Sequence, residues 1–283
     1  MHLIAEVVSS CSGLSRWELA STVCELVDWR RVNGGLKARE CRDLLERLHE
    51  QGVIRLPAKG KGRPKGLRTS AAPSAAGEAG KPIEGSLQAI APVRLQAVSG
   101  GGERALWREL LARYHYLGHA VPYGAHLRYF VKAARPEAAI VGCLQYSSPA
   151  WRMQARDDWI GWGEGARRRN LQRVVNQSRF LILPWVRVRN LASHVLALSV
   201  KGIARDWEAR FGVHPVLVET LVDAGRFRGT CYQAANWLEA GVTSGRGRMD
   251  RSHARHGAAP KRLFLYALAR DARRQLRREG NHG

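Results

Sequence analysis

The apolar positions change rhythm twice along the chain. After Ser15-Arg16-Trp17-Glu18, a capping box in which the Ser hydroxyl and the Glu carboxylate satisfy each other's free amides, Leu19, Val23, Leu26 and Val27 recur at helical spacing up to Asn33-Gly34-Gly35. A second helix is expected over about Lys37 to Glu50, with Cys41, Leu44, Leu45 and Leu48 on one face and a stop at Gly52. Val53 to Pro57 reads as a short strand, and helix, turn, helix, strand is the order of a winged-helix module. Residues 57–86 have no periodic apolar face and read as a Pro/Gly/Ala-rich linker.

From residue 87 the pattern becomes that of an α/β domain. A helix candidate over Leu106–Tyr114 precedes two strands, Leu127–Lys132 and Ala138–Tyr146, which form a hairpin. Phe180–Val188, apolar on both faces at its start, is expected to be a central strand. A largely buried helix runs from Leu191 to about Arg210, followed by a strand over Pro215–Val222, a helix near Thr230 to Ala240 ended by Gly241, and a final strand. The expected organisation is a winged-helix-like module (1–56), a linker (57–86) and a mixed-sheet α/β domain with a basic C-terminal segment (87–283).

Charge changes this picture from fold to partner. The 283 residues carry 46 Lys and Arg against 24 Asp and Glu, a formal net charge of +22. A balance that basic implies a polyanionic partner, nucleic acid above all and DNA before RNA. Residues 1–56 are neutral overall, with 8 basic and 8 acidic groups, so most of the excess belongs to the large domain. Five scattered Cys without a C-x-x-C pair exclude a disulfide scaffold and a structural zinc site, and point to a reducing, cytoplasmic setting. No apolar run is long enough to span a membrane.

The candidate nucleic-acid contacts are Arg167, Arg168, Arg169 and Arg173, then Arg246, Arg248 and Arg251, with Lys61, Arg63 and Lys65 in a linker stretch similar to an AT-hook core. Trp159, Trp162 and Trp185 are candidates for base stacking or for the core. For catalysis the candidates are Glu219 and Asp223 on one strand, with Cys231 and Tyr232 opening the next helix, where the helix end favours a thiolate. Glu219 sits among Val and Leu and needs either an arginine, with Arg179, Arg226 and Arg228 available, or a function.

The strand-to-helix order resembles the acyltransferase fold of the GNAT superfamily, in which a central strand feeds the helix that receives the pyrophosphate of acetyl-CoA. Here that junction is Arg189-Asn190-Leu191-Ala192-Ser193, without the usual glycines, and the sequence names no cofactor. More specific phrases are Arg156-Asp157-Asp158-Trp159-Ile160-Gly161-Trp162, Asn176–Trp185, Val218–Asp223 and Arg228-Gly229-Thr230-Cys231-Tyr232-Gln233-Ala234-Ala235-Asn236-Trp237. Together they resemble the DruA family of the Druantia anti-phage defence system. The resemblance implies a role in defence or on mobile DNA; joined to the charge, it gives the expectation of a nucleic-acid-binding defence component, with other defence proteins and a second copy of the chain as further expected partners. The alternatives are an enzyme that modifies or cleaves nucleic acid, by acyl transfer or metal-dependent hydrolysis, and an adaptor for a helicase or nuclease.

Overall fold

The computed structural model describes residues 2–10, 14–31, 36–58, 73–122, 124–136, 138–243, 248–249, 255–256 and 259–279. Three helices come first, α1 (His2–Ser10), α2 (Arg16–Leu26) and α3 (Ala38–Glu50). Then follow β1 (Ile83–Gly85), α4 (Leu87–Ile90), β2 (Val93–Ala97), α5 (Gly101–Tyr114), β3 (His126–Ala133) and β4 (Ala139–Ser147). The middle of the chain forms α6 (Gln154–Ile160), α7 (Glu164–Asn170), β5 (Val174–Ile182), β6 (Val186–Val188) and α8 (Leu191–Phe211). The last part is β7 (Leu217–Asp223), α9 (Thr230–Ala234), β8 (Leu238–Val242), β9 (Arg248–Met249), β10 (Arg255–His256), β11 (Lys261–Ala267) and α10 (Ala272–Arg277).

Seven strands form one mixed sheet in the order β2-β3-β4-β5-β7-β11-β8, as the α/β pattern required. The expected 127–146 hairpin is β3–β4, and β5 is the middle strand. β5 and β7 are parallel neighbours joined through α8. The helices cover both faces of the sheet. On one, Val218, Val222 and Phe264 pack with Val195, Ile203 and Trp207 of α8 and with Tyr232 and Trp237. On the other, Leu217, Leu263 and Leu265 meet Ile160 of α6 and Leu276 of α10. No helix among the described residues is long and apolar enough to cross a membrane.

Four expectations change. No strand forms over 53–57, because Val53 and Ile54 turn their amides back to the Leu48 carbonyl and His49 Nδ1 lies 3.1 Å from the Ile54 carbonyl, so the α2–α3 pair lacks the wing strand there. The central strand starts at Val174, six residues before Phe180, and ends ahead of Pro184, which has no amide to continue a ladder. The helix from Thr230 stops at Ala234: Asn236 adopts a left-handed conformation, and Leu238 onward pairs with β11 as β8.

The fourth change concerns the linker. Residues 59–72, which hold Lys61, Arg63 and Lys65, lie outside the described residues, whereas 73–86 are built into the domain. Ser74 donates to Glu109 from its amide (2.8 Å) and its hydroxyl (2.6 Å), and together these bonds hold that carboxyl below the usual range. Ile83–Gly85 pairs with Val186–Val188. The N-terminal helices also share the large domain's core: Leu19, Val23, Cys24 and Leu45 belong to the same buried cluster as Trp107, Phe130 and Leu196.

Candidate nucleic-acid interface and the pocket between the diverging strands

Two arrangements emerge from the arginines around α6, α7 and α10. The first is buried. Arg156 on α6 is fully enclosed, with its guanidinium 2.9 Å from Asp157 Oδ1 and 3.2 Å from Glu219 Oε2. It also donates to the carbonyls of Ala150 (2.8 Å) and Trp151 (3.3 Å) and lies over the Trp162 ring. Glu219 is itself fully enclosed; burial pushes its carboxyl above the usual range, against the pull of Arg156. Its partner is therefore Arg156 and none of Arg179, Arg226 and Arg228. Asp157 accepts from Trp162 Nε1 at 3.1 Å and lies 3.7 Å from Arg167, which also binds Glu164.

Arg167 is thus drawn inward, over the Trp151 ring, and differs from the surface phosphate ligand expected of it. Glu219 has no exposed surface. Asp223 is not its companion, since β7 keeps unbroken register with β11 from Leu217 to Asp223, which sets the two carboxylates about 13 Å apart. Asp223 instead accepts from the Gly225 amide at 3.0 Å. Among the described residues no cluster of His, Cys, Asp and Glu is suited to a metal.

The second arrangement faces outward. Asn170 at the end of α7 donates to the carbonyls of Leu276 and Arg278, 3.0 Å each, which clamps α7 against α10. This brings Arg168, Arg169 and Arg173 beside Arg273, Arg274, Arg277 and Arg278, a partnership that sequence reading of the 167–173 cluster missed. The last four are exposed, as is Arg168. Arg173 is half-buried and hydrogen-bonded to Gln275; burial, then Arg278, depresses its affinity for a proton. Carboxylates answer only part of this charge, through Glu164 with Arg168 and Asp271 with Arg274. Trp159 lies under Arg273 (5.4 Å) and Trp185 is edge-on to Tyr114, so neither offers a free face there. Arg246 and Arg251 lie outside the described residues, and Arg248 lies in β9.

On the opposite face of the sheet a cavity of about 430 Å³ opens where β5 and β7 part. The two strands pair only from Val174–Asn176 to Leu217–Glu219; the next link is Thr220 Oγ1 to the Gln177 carbonyl at 3.0 Å. Arg179 from β5, the aromatic pair Tyr116 and Phe227, and Arg228 with Thr230 to Tyr232 complete the walls. Gly229 sets the entry to α9: its φ of 76° is left-handed, and a Cβ there would lie 2.4 Å from the Phe264 ring. No side chain but hydrogen fits.

The cavity contains two of the catalytic candidates, in forms other than those expected. Tyr232 is buried, its hydroxyl donates to Gln177 Oε1 at 2.8 Å, and burial raises its proton affinity, so it is a fixed phenol. Cys231 also has its pKa raised by burial, which outweighs the helix amides that favour a thiolate, and five-residue α9 adds little. Burial, then Arg179, lowers His115 to about 4; its Nδ1 accepts from the Leu117 amide at 3.1 Å, so it is neutral and spent as a base. At the β6–α8 junction the residues do not fit a glycine cradle for pyrophosphate: Asn190 supplies the left-handed residue and the Arg189 amide is bonded to Gly85.

Among solved structures the chain is similar to mutant forms of the spermidine/spermine N-acetyltransferase SpeG from Vibrio cholerae, with 9% identity over 62% of this chain and 95% of that one and a TM-score of 0.40. It is also similar to the same enzyme in complex with manganese ions, with 11% identity over 64% and 96% and a TM-score of 0.39. No curated protein matches the chain. The family model described as Druantia protein DruA matches residues 58–262, from the end of the N-terminal helices through the central sheet to the start of β11, and on that match the chain belongs to the DruA family.

Proposed function

We propose that this DruA-family protein is a nucleic-acid-binding component of an anti-phage defence system, with the α7–α10 ridge as its phosphate-binding face. The observation that carries this reading is the outward set Arg168, Arg273, Arg274, Arg277 and Arg278, gathered from two separate stretches of chain and only partly neutralised by carboxylates. Arginine forks of this kind engage phosphates whatever the sequence, which fixes a strand's position and leaves its bases unread. Duplex DNA is the preferred partner, because a ridge made of two net basic helices offers charge without an aromatic platform for single-strand stacking. The ridge is tested with the full-length protein by fluorescence anisotropy against duplex and single-stranded DNA and RNA over a salt series. Log affinity should fall linearly with log salt, at about −0.9 per phosphate neutralised on duplex and about −0.7 on single strands. Absence of binding to every nucleic acid at low salt overturns the reading.

A further inference from the structure

We infer that the cavity between β5 and β7 is a second ligand site, built for a nucleotide unit. At its base Gln177 is only 3% exposed, and its Nε2 has no hydrogen-bond partner. The Oε1 end is taken by Tyr232; the Tyr146 hydroxyl, which donates to Ser199, lies near the amide without closing a bond on it. A buried amide without a partner is costly, and a ligand edge that pairs with it removes the cost.

The walls above Gln177 say what that ligand is. No carboxylate lines the cavity, whereas Arg179 and Arg228 do. Arg179 spends its guanidinium partly on the carbonyls of Gly118 (3.1 Å) and Ser178 (2.7 Å); Arg228 is exposed and has no ion pair among the described residues. At the mouth, Tyr116 and Phe227 lie with ring centroids 5.4 Å apart, His115 stacks on Tyr116 at 4.8 Å, and Arg226 covers the same ring. The exposed Phe227 ring at the rim, an anion-binding arginine and a single amide at the floor fit a planar ring that carries hydrogen-bonding edges and a phosphate. The volume of about 430 Å³ falls in the range of small-ligand pockets. The choice of nucleotide among planar anions rests on the nucleic-acid reading above; the site itself does not, since it lies on the other face of the sheet from α7 and α10.

The test uses the full-length protein, with the four nucleoside 5′-monophosphates, the four nucleosides, inorganic phosphate and a single-stranded trinucleotide as probes in calorimetry. Monophosphates should bind, at least one of them about tenfold more tightly than its nucleoside or than phosphate. Arg228→Ala should weaken that binding about tenfold, Phe227→Ala about fivefold, and Gln177→Leu should flatten the preference among bases. If the trinucleotide shares the dependence on Arg228, the unit is presented by a strand; if only monophosphates show it, the ligand is a free nucleotide, and both results uphold the site. No binding of any monophosphate at millimolar concentration, or binding indifferent to both Arg228→Ala and Gln177→Leu, overturns it. A protein that binds duplex DNA but no monophosphate loses the pocket and keeps the ridge. One that binds monophosphates but no nucleic acid does the reverse.

Discussion

Arg167 and Arg168 are neighbours in sequence, but the side chain of one is 10% exposed and that of the other 53%. Arg167 points into the network Glu219–Arg156–Asp157–Arg167–Glu164, where each charge answers another. Arg168 points outward with the arginines of α10. The difference is set by a single residue step, about 100° around the helix: the face of α7 that carries Ala166 and Arg167 is pressed onto the domain. Identical chemistry thus serves the fold on one side and, in our reading, phosphate on the other. Arginine clusters in a sequence count charge; only the packing divides it between these two uses.

The largest expected effect comes from breaking the inner network. Glu219→Ala leaves the enclosed Arg156 with Asp157 as its remaining carboxylate and should lower stability by about 3–5 kcal/mol, read from urea unfolding. A Glu219→Ala protein that melts like the parent would mean that the ion pair carries no weight in the fold. On the outer side, Arg168→Ala, Arg273→Ala and Arg278→Ala combined should cut duplex affinity about 10- to 100-fold at low salt and make the salt slope shallower, with the melting temperature nearly unchanged. Arg167→Ala should do the opposite, lowering the melting temperature and sparing the slope. If the two sets exchange effects, the division between them is wrong.

Smaller effects sharpen the comparison with the uncharged buried groups. Tyr232→Phe removes the donor to Gln177 Oε1 and should cost about 1–3 kcal/mol, measured in the same unfolding assay. Acid should act through histidines that the fold holds neutral. His115 and His119 are both lowered to about 4 by burial and then by neighbouring arginines. A folded pKa below the unfolded value near 6.5 means that the unfolded chain takes the proton first, so their contribution is complete above about 6.5 and lost as the pH falls towards about 4. Replacing both by Phe should flatten that part of the stability profile by about 1 kcal/mol.

The sheet was legible because its strands are written in runs such as Ala139–Tyr146 and Leu217–Val222, and the 191–211 helix in an apolar pattern around most of its circumference. The start of β5 is hard to read because its first half, Val174-Val175-Asn176-Gln177, mixes amides into the strand, and one of them, Gln177, lies at the cavity floor. Glu219, a carboxylate among Val and Leu, is legible in the sequence as a charge that needs an answer. Arg156 is not legible as its partner, because 63 residues separate the two and only the folded packing joins them. The exposed half of the basic surface is half visible in the sequence: α10 and the residue after it add Arg273, Arg274, Arg277 and Arg278, which no local motif ties to α7. The N-terminal helices read as a neutral module of their own, and nothing local in them announced that Leu19 and Leu45 would be sealed by a common core.

That common core gives the tether an unexpected status. Pro57 is tied to Arg16 through a 2.8 Å hydrogen bond, and Ser74 is tied to Glu109, so whatever path residues 59–72 take, both of their ends are pinned to the same body. A protease that cuts between residues 59 and 72 should therefore release nothing: the two fragments should separate in a denaturing gel and migrate as one particle in a native one.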